Sequence, residues 1–194
     1  MKKTILIQLL AIIPLFAFSQ TSSGTWNSRT ATYTNTTHNI TWQLIDELTW
    51  VGRPILTDGT LLKVRNDDTH ILVSLAVHKE DGVVSDIWDH ISDFESPEVV
   101  QLKKMTAKQN NMTFLGTKAV KSQLCGLHAV KTRTDMKRYY PEHNATVHGI
   151  EIMYNIYKRG FLYTVTVTAL SVLEEEIDGF DRIAIELFNG FRIQ

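Results

Sequence analysis

Two alternations of apolar and polar residues follow each other in the last third of the chain, and few folds satisfy that pattern. Between Val147 and Tyr157, every second side chain is large and mostly apolar, namely His148, Ile150, Ile152, Tyr154 and Ile156. From Phe161 to Ala169 a second alternation is rich in β-branched and aromatic residues. A period of two is typical of a half-buried strand. Since Lys158-Arg159-Gly160 is a short polar break that suits a tight turn, the segment predicts a β-hairpin.

The period changes after the acidic run Glu174–Glu176. Apolar residues then recur every three or four positions, which places them on one face of a helix: Phe180, Ile183, Ala184, Leu187, Phe188 and Phe191. Burial of such side chains stabilises a helix by about 1.5–3 kcal/mol each, more than any charge effect at its end. The sequence therefore predicts an amphipathic helix that is driven by packing of its apolar face and is ended by Asn189-Gly190.

Residues 1–19 have the features of a secretory signal peptide. Lys2 and Lys3 precede an apolar run from Ile5 to Phe18, and Ala17-Phe18-Ser19 is a small-x-small cleavage site. The run is interrupted by Gln8 and Pro14 and is shorter than the roughly 20 residues of a spanning helix. We therefore expect a periplasmic or secreted protein with no transmembrane segment in its mature chain.

The charge balance bears on nucleic-acid binding, and the cysteine count bears on disulfide bonds. The chain of 194 residues has 20 basic and 21 acidic residues, and loss of residues 1–19 removes two of the basic ones, which leaves a net charge of about −3. Nucleic-acid-binding domains are usually basic, so the balance speaks against that class. Because Cys125 is the single cysteine, the fold depends on its core and not on an intrachain disulfide.

The first half of the chain predicts three strands and two helices. Residues 20–30 are rich in Ser, Thr, Asn and Gly and are expected to form a flexible lead. Strands are predicted at Ile40–Leu44 and in two runs around Leu62 and Ile71–Val77 that are joined by an Asn-Asp-Asp turn, whereas loops are expected around Trp50 and Gly52. Ser85 is a candidate N-cap for a first helix, and Pro97 begins a second one.

The second half of the chain predicts more strands. They are expected at Phe114–Lys118 and Leu124–Thr134, with a turn near Lys121-Ser122, and Asp135–Thr146 is expected to be a loop. Strands and helices without strict β-α-β alternation favour an α+β fold with a mostly antiparallel β-sheet and helices packed on its faces. Residues 31–194 are expected to form a single domain.

The layout resembles that of PsbP-like domains. The similarity is carried by Ile40-Thr41-Trp42, Trp50, the Gly126–Val130 step, the strand start at Arg159–Tyr163 and the closing segment Phe188–Ile193. The resemblance implies an α-β-α sandwich around an antiparallel sheet. Members of the family include a subunit that supports the oxygen-evolving centre of photosystem II and a factor that binds Ran GTPase. These act by binding partners, and no functional residue of theirs carries over to a position here.

One basic and aromatic cluster is a candidate binding site for an anionic ligand or an acidic partner. It consists of Lys131, Arg133, Lys137, Arg138, Tyr139 and Tyr140. Lys131 and Arg133 are two apart and should point the same way in a strand, with the tyrosines supplying contact area. The alternative interpretation is an exposed edge strand that positive charge protects from aggregation.

Two further groups of residues bear on catalysis or metal binding. Asp86, Asp89, His90 and Asp93 would share one face of a helix, where they could hold a divalent metal or form a solvated surface. Cys125 and His128 have the residue types of a thiol-imidazole pair, but residues three apart in a strand point to opposite faces.

Local motifs of hydrolases, P-loop proteins and dinucleotide-binding proteins are absent from the sequence. The preferred hypothesis is an exported, non-enzymatic binding or accessory protein that uses no cofactor and whose partner is an unknown protein or small molecule. The alternative is a small extracytoplasmic hydrolase or metal-binding protein whose site is assembled in space.

Overall fold

A computed structural model describes residues 24–53, 59–80 and 86–194. The predicted signal peptide and the predicted cap Ser85 lie outside the described residues. The strands are β1 (Gly24–Asn27), β2 (Thr32–Asn35), β3 (Ile40–Gln43), β4 (Trp50–Arg53), β5 (Thr60–Asn66), β6 (Ile71–Lys79), β7 (Thr113–Leu124), β8 (Leu127–Tyr140), β9 (Ala145–Lys158), β10 (Phe161–Leu173) and β11 (Phe191–Ile193). The α-helices are α1 (Pro97–Gln109) and α2 (Ile177–Asn189). A long 3₁₀ helix spans Ile87–Glu95, and two short ones span Pro141–His143 and Glu174–Glu176.

The predicted hairpin is confirmed as the centre of the larger sheet. β9 and β10 pair antiparallel, with Phe161 opposite Lys158 and Ala169 opposite Ile150. Arg159 and Gly160 connect them, and both have positive φ, of 51° and 79°. Two left-handed residues in a two-residue connection match the twist of the flanking strands. The sheet has the order β4-β5-β6-β10-β9-β8-β7, with every neighbouring pair antiparallel.

A second sheet, which the sequence did not predict, joins the two ends of the described chain in the order β1-β2-β3-β11. Part of the segment predicted to be a flexible lead is therefore the strand β1. The prediction that Phe191 lies on the terminal helix is wrong, because α2 ends at Asn189 and Phe191 pairs with Trp42. Gly190 follows the helix as predicted, and a side chain there would collide with the carbonyl oxygen of Gln43.

Three predicted irregular regions belong to strands. The expected loop Asp135–Thr146 is mostly the continuation of β8 into β9, and the expected loop at Trp50 is β4. The turn expected at Lys121-Ser122 lies instead at Cys125-Gly126, whose φ angles are 45° and 80°. Polar side chains misled these predictions, because strands that extend beyond the core carry charged residues on both faces.

The two faces of the larger sheet have separate cores. On the front face, the main core joins the smaller sheet and α2 to the larger sheet through residues such as Trp42, Val165 and Phe180. On the back face, Ile87 and Phe94 of the long 3₁₀ helix pack on Val130 and Leu162, and Ala107 of α1 packs near Met136. The architecture is thus the expected α+β fold, a mostly antiparallel sheet with helices on both faces.

Helix α1 is also attached by a buried charge. Lys103 is almost fully buried, and its ammonium group pairs with the Glu151 carboxylate of β9 and lies 3.8 Å from the sulfur of Met153. A buried charge needs such a partner, because removal from water otherwise costs several kcal/mol. Among the described residues, no helix is both long and apolar enough to span a bilayer.

Trp42 is expected to be the most sensitive single position of the front core. Its side chain has 0% exposure, and Trp42→Ala should lower the free energy of unfolding by about 3–5 kcal/mol, because a large cavity opens in the main core. Urea unfolding followed by circular dichroism measures this change. Trp26→Ala, which alters a partly buried residue of β1, is the control, and an equal loss at both positions would contradict the assignment.

Candidate functional site

β8 is an interior strand, so the predicted binding cluster is not on a sheet edge. It pairs with β7 on one side and β9 on the other. The alternative interpretation of the cluster as a protected edge strand is therefore wrong. Because side chains alternate along a strand, Lys131, Arg133, Lys137 and Tyr139 lie on the front face, while Arg138 and Tyr140 lie on the back face.

Arg133 forms an ion pair that attaches α2 to the larger sheet. Its Nε donates to Asp135 at 3.0 Å, and its terminal nitrogen donates to both Asp181 carboxylate oxygens of α2 at 2.6 and 2.9 Å. Partial burial alone would lower the pKa of Arg133, but the hydrogen bonds and charges of the two aspartates keep that pKa above its ordinary value. Arg133 is therefore mainly a structural residue of this surface.

Lys131 is a partly exposed residue of the front face. Its ammonium group lies 5.8 Å from the centroid of the Tyr154 ring, and Tyr154 is its neighbour on β9. On its other side, Val120 of β7 lies opposite Lys131, and Lys118 lies opposite Arg133. The pairing thus adds two front-face residues from β7 to those predicted on β8.

Helix α2 lies beside the front-face residues of β8. Ile185 follows Asp181 by one helical turn and precedes Phe188 by three residues, so the three share the flank that faces β8. The anchors of that flank are the Asp181–Arg133 pair and the Phe188 ring, 4.6 Å from the Tyr154 ring. Ile185 nevertheless remains 56% exposed, and Val120 remains 39% exposed. We call the group Lys118, Val120, Lys131 and Ile185 the front basic surface.

The remaining cluster residues lie at the far end of β8. Lys137 is exposed, and the hydroxyl of Tyr139 donates to the Asn144 side chain at 2.8 Å. On the back face, the Arg138 guanidinium lies 4.3 Å from the Tyr140 ring centroid, a distance typical of a cation–π contact. The six predicted residues thus lie on one strand but on two opposite faces of the sheet.

A second polar cluster joins the long 3₁₀ helix to the β7–β8 hairpin. The Trp88 indole stacks on the His128 imidazole with 3.5 Å between centroids, and its N–H donates to the carbonyls of Ser122 and Ala129. The Asp86 carboxylate caps the helix by accepting from the Trp88 amide at 3.0 Å and lies 2.7 Å from His128 Nδ1. Lys121 lies 5.6 Å from the indole centroid.

The candidate metal-binding face is divided by these contacts. Asp86 turns toward β8, whereas His90 pairs with Asp93 at 3.2 Å within the 3₁₀ helix. In the described ranges 24–53, 59–80 and 86–194, no three His, Cys, Asp or Glu residues form a group that could hold a metal ion. Burial raises the pKa of the Cys125 thiol, which disfavours the thiolate that a nucleophile needs.

The comparison with family models and curated proteins finds no match, while the comparison with solved structures finds similar chains. No family model and no curated protein matches the chain. The cyanobacterial PsbP (CyanoP) of Synechocystis sp. PCC 6803 is similar with a TM-score of 0.48 and 12% identity, over 93% of this chain and 99% of that one. It carries the family name that the sequence resemblance gave.

Two further solved structures are similar at lower TM-scores. LpqN, involved in cell envelope biogenesis of Mycobacterium tuberculosis, has a TM-score of 0.45 and 12% identity, over 80% of this chain and 83% of that one. The Ran-binding protein Mog1p of Saccharomyces cerevisiae has a TM-score of 0.41 and 9% identity, over 79% of this chain and 89% of that one.

The Asp86 cap predicts a pH-dependent contribution to stability. The Trp88 amide, followed by His128 and Lys121, holds the pKa of Asp86 below its ordinary value of 3.8, although desolvation opposes the shift. A depressed folded-state pKa gives stability that is present above pH 3.8 and is lost as the pH falls through the folded-state value. Asp86→Asn should therefore be less stable than the wild type near pH 7, and the difference should shrink in stronger acid.

Urea midpoints at neutral pH and at about pH 3 measure that difference between the two proteins. Asp46→Asn changes an exposed acid in the segment before β4 and serves as the control, with no comparable change expected. A deficit of Asp86→Asn that is as large in acid as at neutral pH would show that the carboxylate charge is not its cause.

Proposed function

We propose that this chain is an exported, non-catalytic accessory protein that binds a partner protein through the front basic surface. The observation that carries the proposal is the juxtaposition of Lys118 and Lys131 with the exposed Val120, beside the flank of α2 that Asp181 fixes to β8 and that carries the exposed Ile185. Export is inferred from the signal peptide predicted in residues 1–19. The partner surface that fits is acidic and contains apolar side chains.

The charge balance of the surface supports an acidic partner. The carboxylates of Asp135 and Asp181 are taken up by Arg133, and no ion pair is found for Lys118 or Lys131 among the described residues. The surface is therefore positive on a protein whose net charge is −1. Such complementarity mainly raises the association rate and suppresses wrong partners.

The apolar residues supply the part of the binding energy that charge does not. Val120 and Ile185 belong to elements fixed by the β7–β8 pairing and by the Arg133–Asp181 ion pair. Side chains on such a preorganised frame lose little further freedom on binding. Burial of exposed apolar area contributes about 25 cal/mol per Å², so this small patch fits a transient, salt-sensitive complex.

The alternative hydrolase function has less support from the contacts. The Asp86–His128 pair orients one imidazole, as a catalytic dyad requires. Among the described residues, however, no serine or cysteine side chain forms a hydrogen bond with His128, so a nucleophile is not in place beside the imidazole. The proposed function is therefore binding.

Reversal of charge on the front basic surface tests the proposal. The partner recovered by cross-linking from the native cell envelope is titrated against purified wild type and Lys118→Glu/Lys131→Glu. We expect at least a tenfold loss of affinity at low salt and a weaker salt dependence, because two attractive contacts become repulsive.

Lys104→Glu/Lys108→Glu on α1 is the matched control, since it makes the same change in net charge at two exposed lysines of the helix on the back face. An equal loss in both double variants would show that only net charge matters. Unchanged binding in Lys118→Glu/Lys131→Glu would overturn the assignment of the surface.

A further inference from the structure

The two edges of the larger sheet are very different. β4, at one edge, has 4 residues, whereas β7, at the other, has 12 residues, and no described strand pairs with its outer side. Proteins usually shorten or cover edge strands, because unpaired backbone groups bind other chains. A long edge strand next to the front basic surface therefore points to docking by strand addition.

One contact shows which backbone groups of β7 point outward. The Ala119 amide donates to the Glu95 side chain at the end of the 3₁₀ helix, so this amide is directed away from β8. Hydrogen-bonding direction alternates along an antiparallel strand, so Thr117, Lys121 and Gln123 share the outward orientation of Ala119. The outer side of β7 thus has a row of outward peptide N–H groups, and one of them, that of Ala119, already donates to the Glu95 carboxylate.

The side chains of β7 indicate the chemistry of the incoming segment. Lys118 is exposed on the front face and Lys121 on the back face, and Val120 between them is an exposed apolar residue. An extended segment in which acidic and apolar residues alternate on each face, so that an acid lies opposite each lysine and an apolar residue lies opposite Val120, matches this pattern. Pairing of two β7 edges from identical copies would instead place Lys118 and Lys121 of both copies along one ribbon with no acidic residue of β7 among them, which like-charge repulsion disfavours.

We propose that β7 binds an extended acidic segment of a partner protein, which adds to the larger sheet as one further strand. The inference rests on the proposed function, because Lys118 and Val120 belong to the front basic surface. In the unbound protein the Glu95 carboxylate accepts a hydrogen bond from the Ala119 amide. When the partner segment binds, its backbone replaces the Glu95 carboxylate as the acceptor. Glu95 is thus an internal competitor for the edge.

The test uses a capped synthetic peptide of about eight residues that repeats Glu-Glu-Val-Val, so that Glu and Val alternate on each face of the added strand. This length covers an ordinary strand. Its affinity is measured for the wild type, Thr117→Pro and Thr117→Val. Proline removes the outward amide and obstructs the edge but leaves the ladder to β8 intact. Valine loses the hydroxyl that contacts Thr134, as proline does, but keeps the amide.

We expect Thr117→Pro to bind the peptide at least tenfold more weakly than Thr117→Val, and Glu95→Ala to bind it severalfold more tightly than the wild type. Hydrogen exchange should slow at the amides of Lys121 and Gln123 when the peptide is bound. Circular dichroism verifies that each variant is folded. If Thr117→Pro does not fold, the exchange pattern and the effect of Glu95→Ala decide whether the peptide adds to β7 as a strand.

The outcomes separate this inference from the proposed function. In one outcome, Lys118→Glu/Lys131→Glu loses binding, but Thr117→Pro binds the peptide as tightly as Thr117→Val and no amide exchange slows. That outcome would overturn strand addition and leave the front basic surface as the binding site. Insensitivity to both sets of substitutions would overturn both proposals. Concentration-dependent dimerisation through β7, or binding to anionic vesicles that Thr117→Pro does not affect, would also overturn strand addition.

Discussion

The arrangement depends on burial of Trp42 in the main core. The indole N–H donates to the Leu187 carbonyl of α2 at 2.8 Å, and its ring meets Phe191 edge-on at 5.5 Å. One side chain thus joins β3, α2 and β11, three elements that are far apart in sequence. Because an indole buries a large apolar area and also satisfies its polar N–H, it can fill a junction that no aliphatic side chain could fill as well.

The candidate surface is a consequence of that junction. Once α2 is fixed on the front face, Asp181 faces Arg133, and Ile185, one turn further along the same flank, remains 56% exposed. On the same face, Lys118 and Val120 of β7 are exposed, and Lys131 of β8 is partly exposed. The same pairing that covers most of the sheet therefore leaves Lys118, Val120 and Lys131 available to a partner.

Most strands and both α-helices could be predicted from periodicity, because the predicted residues bury one face. The β9–β10 hairpin and the helix from Phe180 are the clearest cases. The loop predicted at Asp135–Thr146 was wrong because charged side chains there lie on strands that extend past the core. Of the site, Lys131 was identified by residue type alone, whereas Lys118 and Ile185 carried no local signal, since their proximity to Lys131 depends on strand pairing and helix docking.

The sequence by itself determined the α+β class and the hairpin at its centre, since local period and turn chemistry depend only on neighbouring residues. The tertiary structure decided which residues share a surface. It divided one basic run of β8 between two faces, made Phe191 a strand residue opposite Trp42, and left β7 at the edge. These outcomes depend on contacts between distant segments, whose register is set by the shape of the whole core and not by any single stretch of chain.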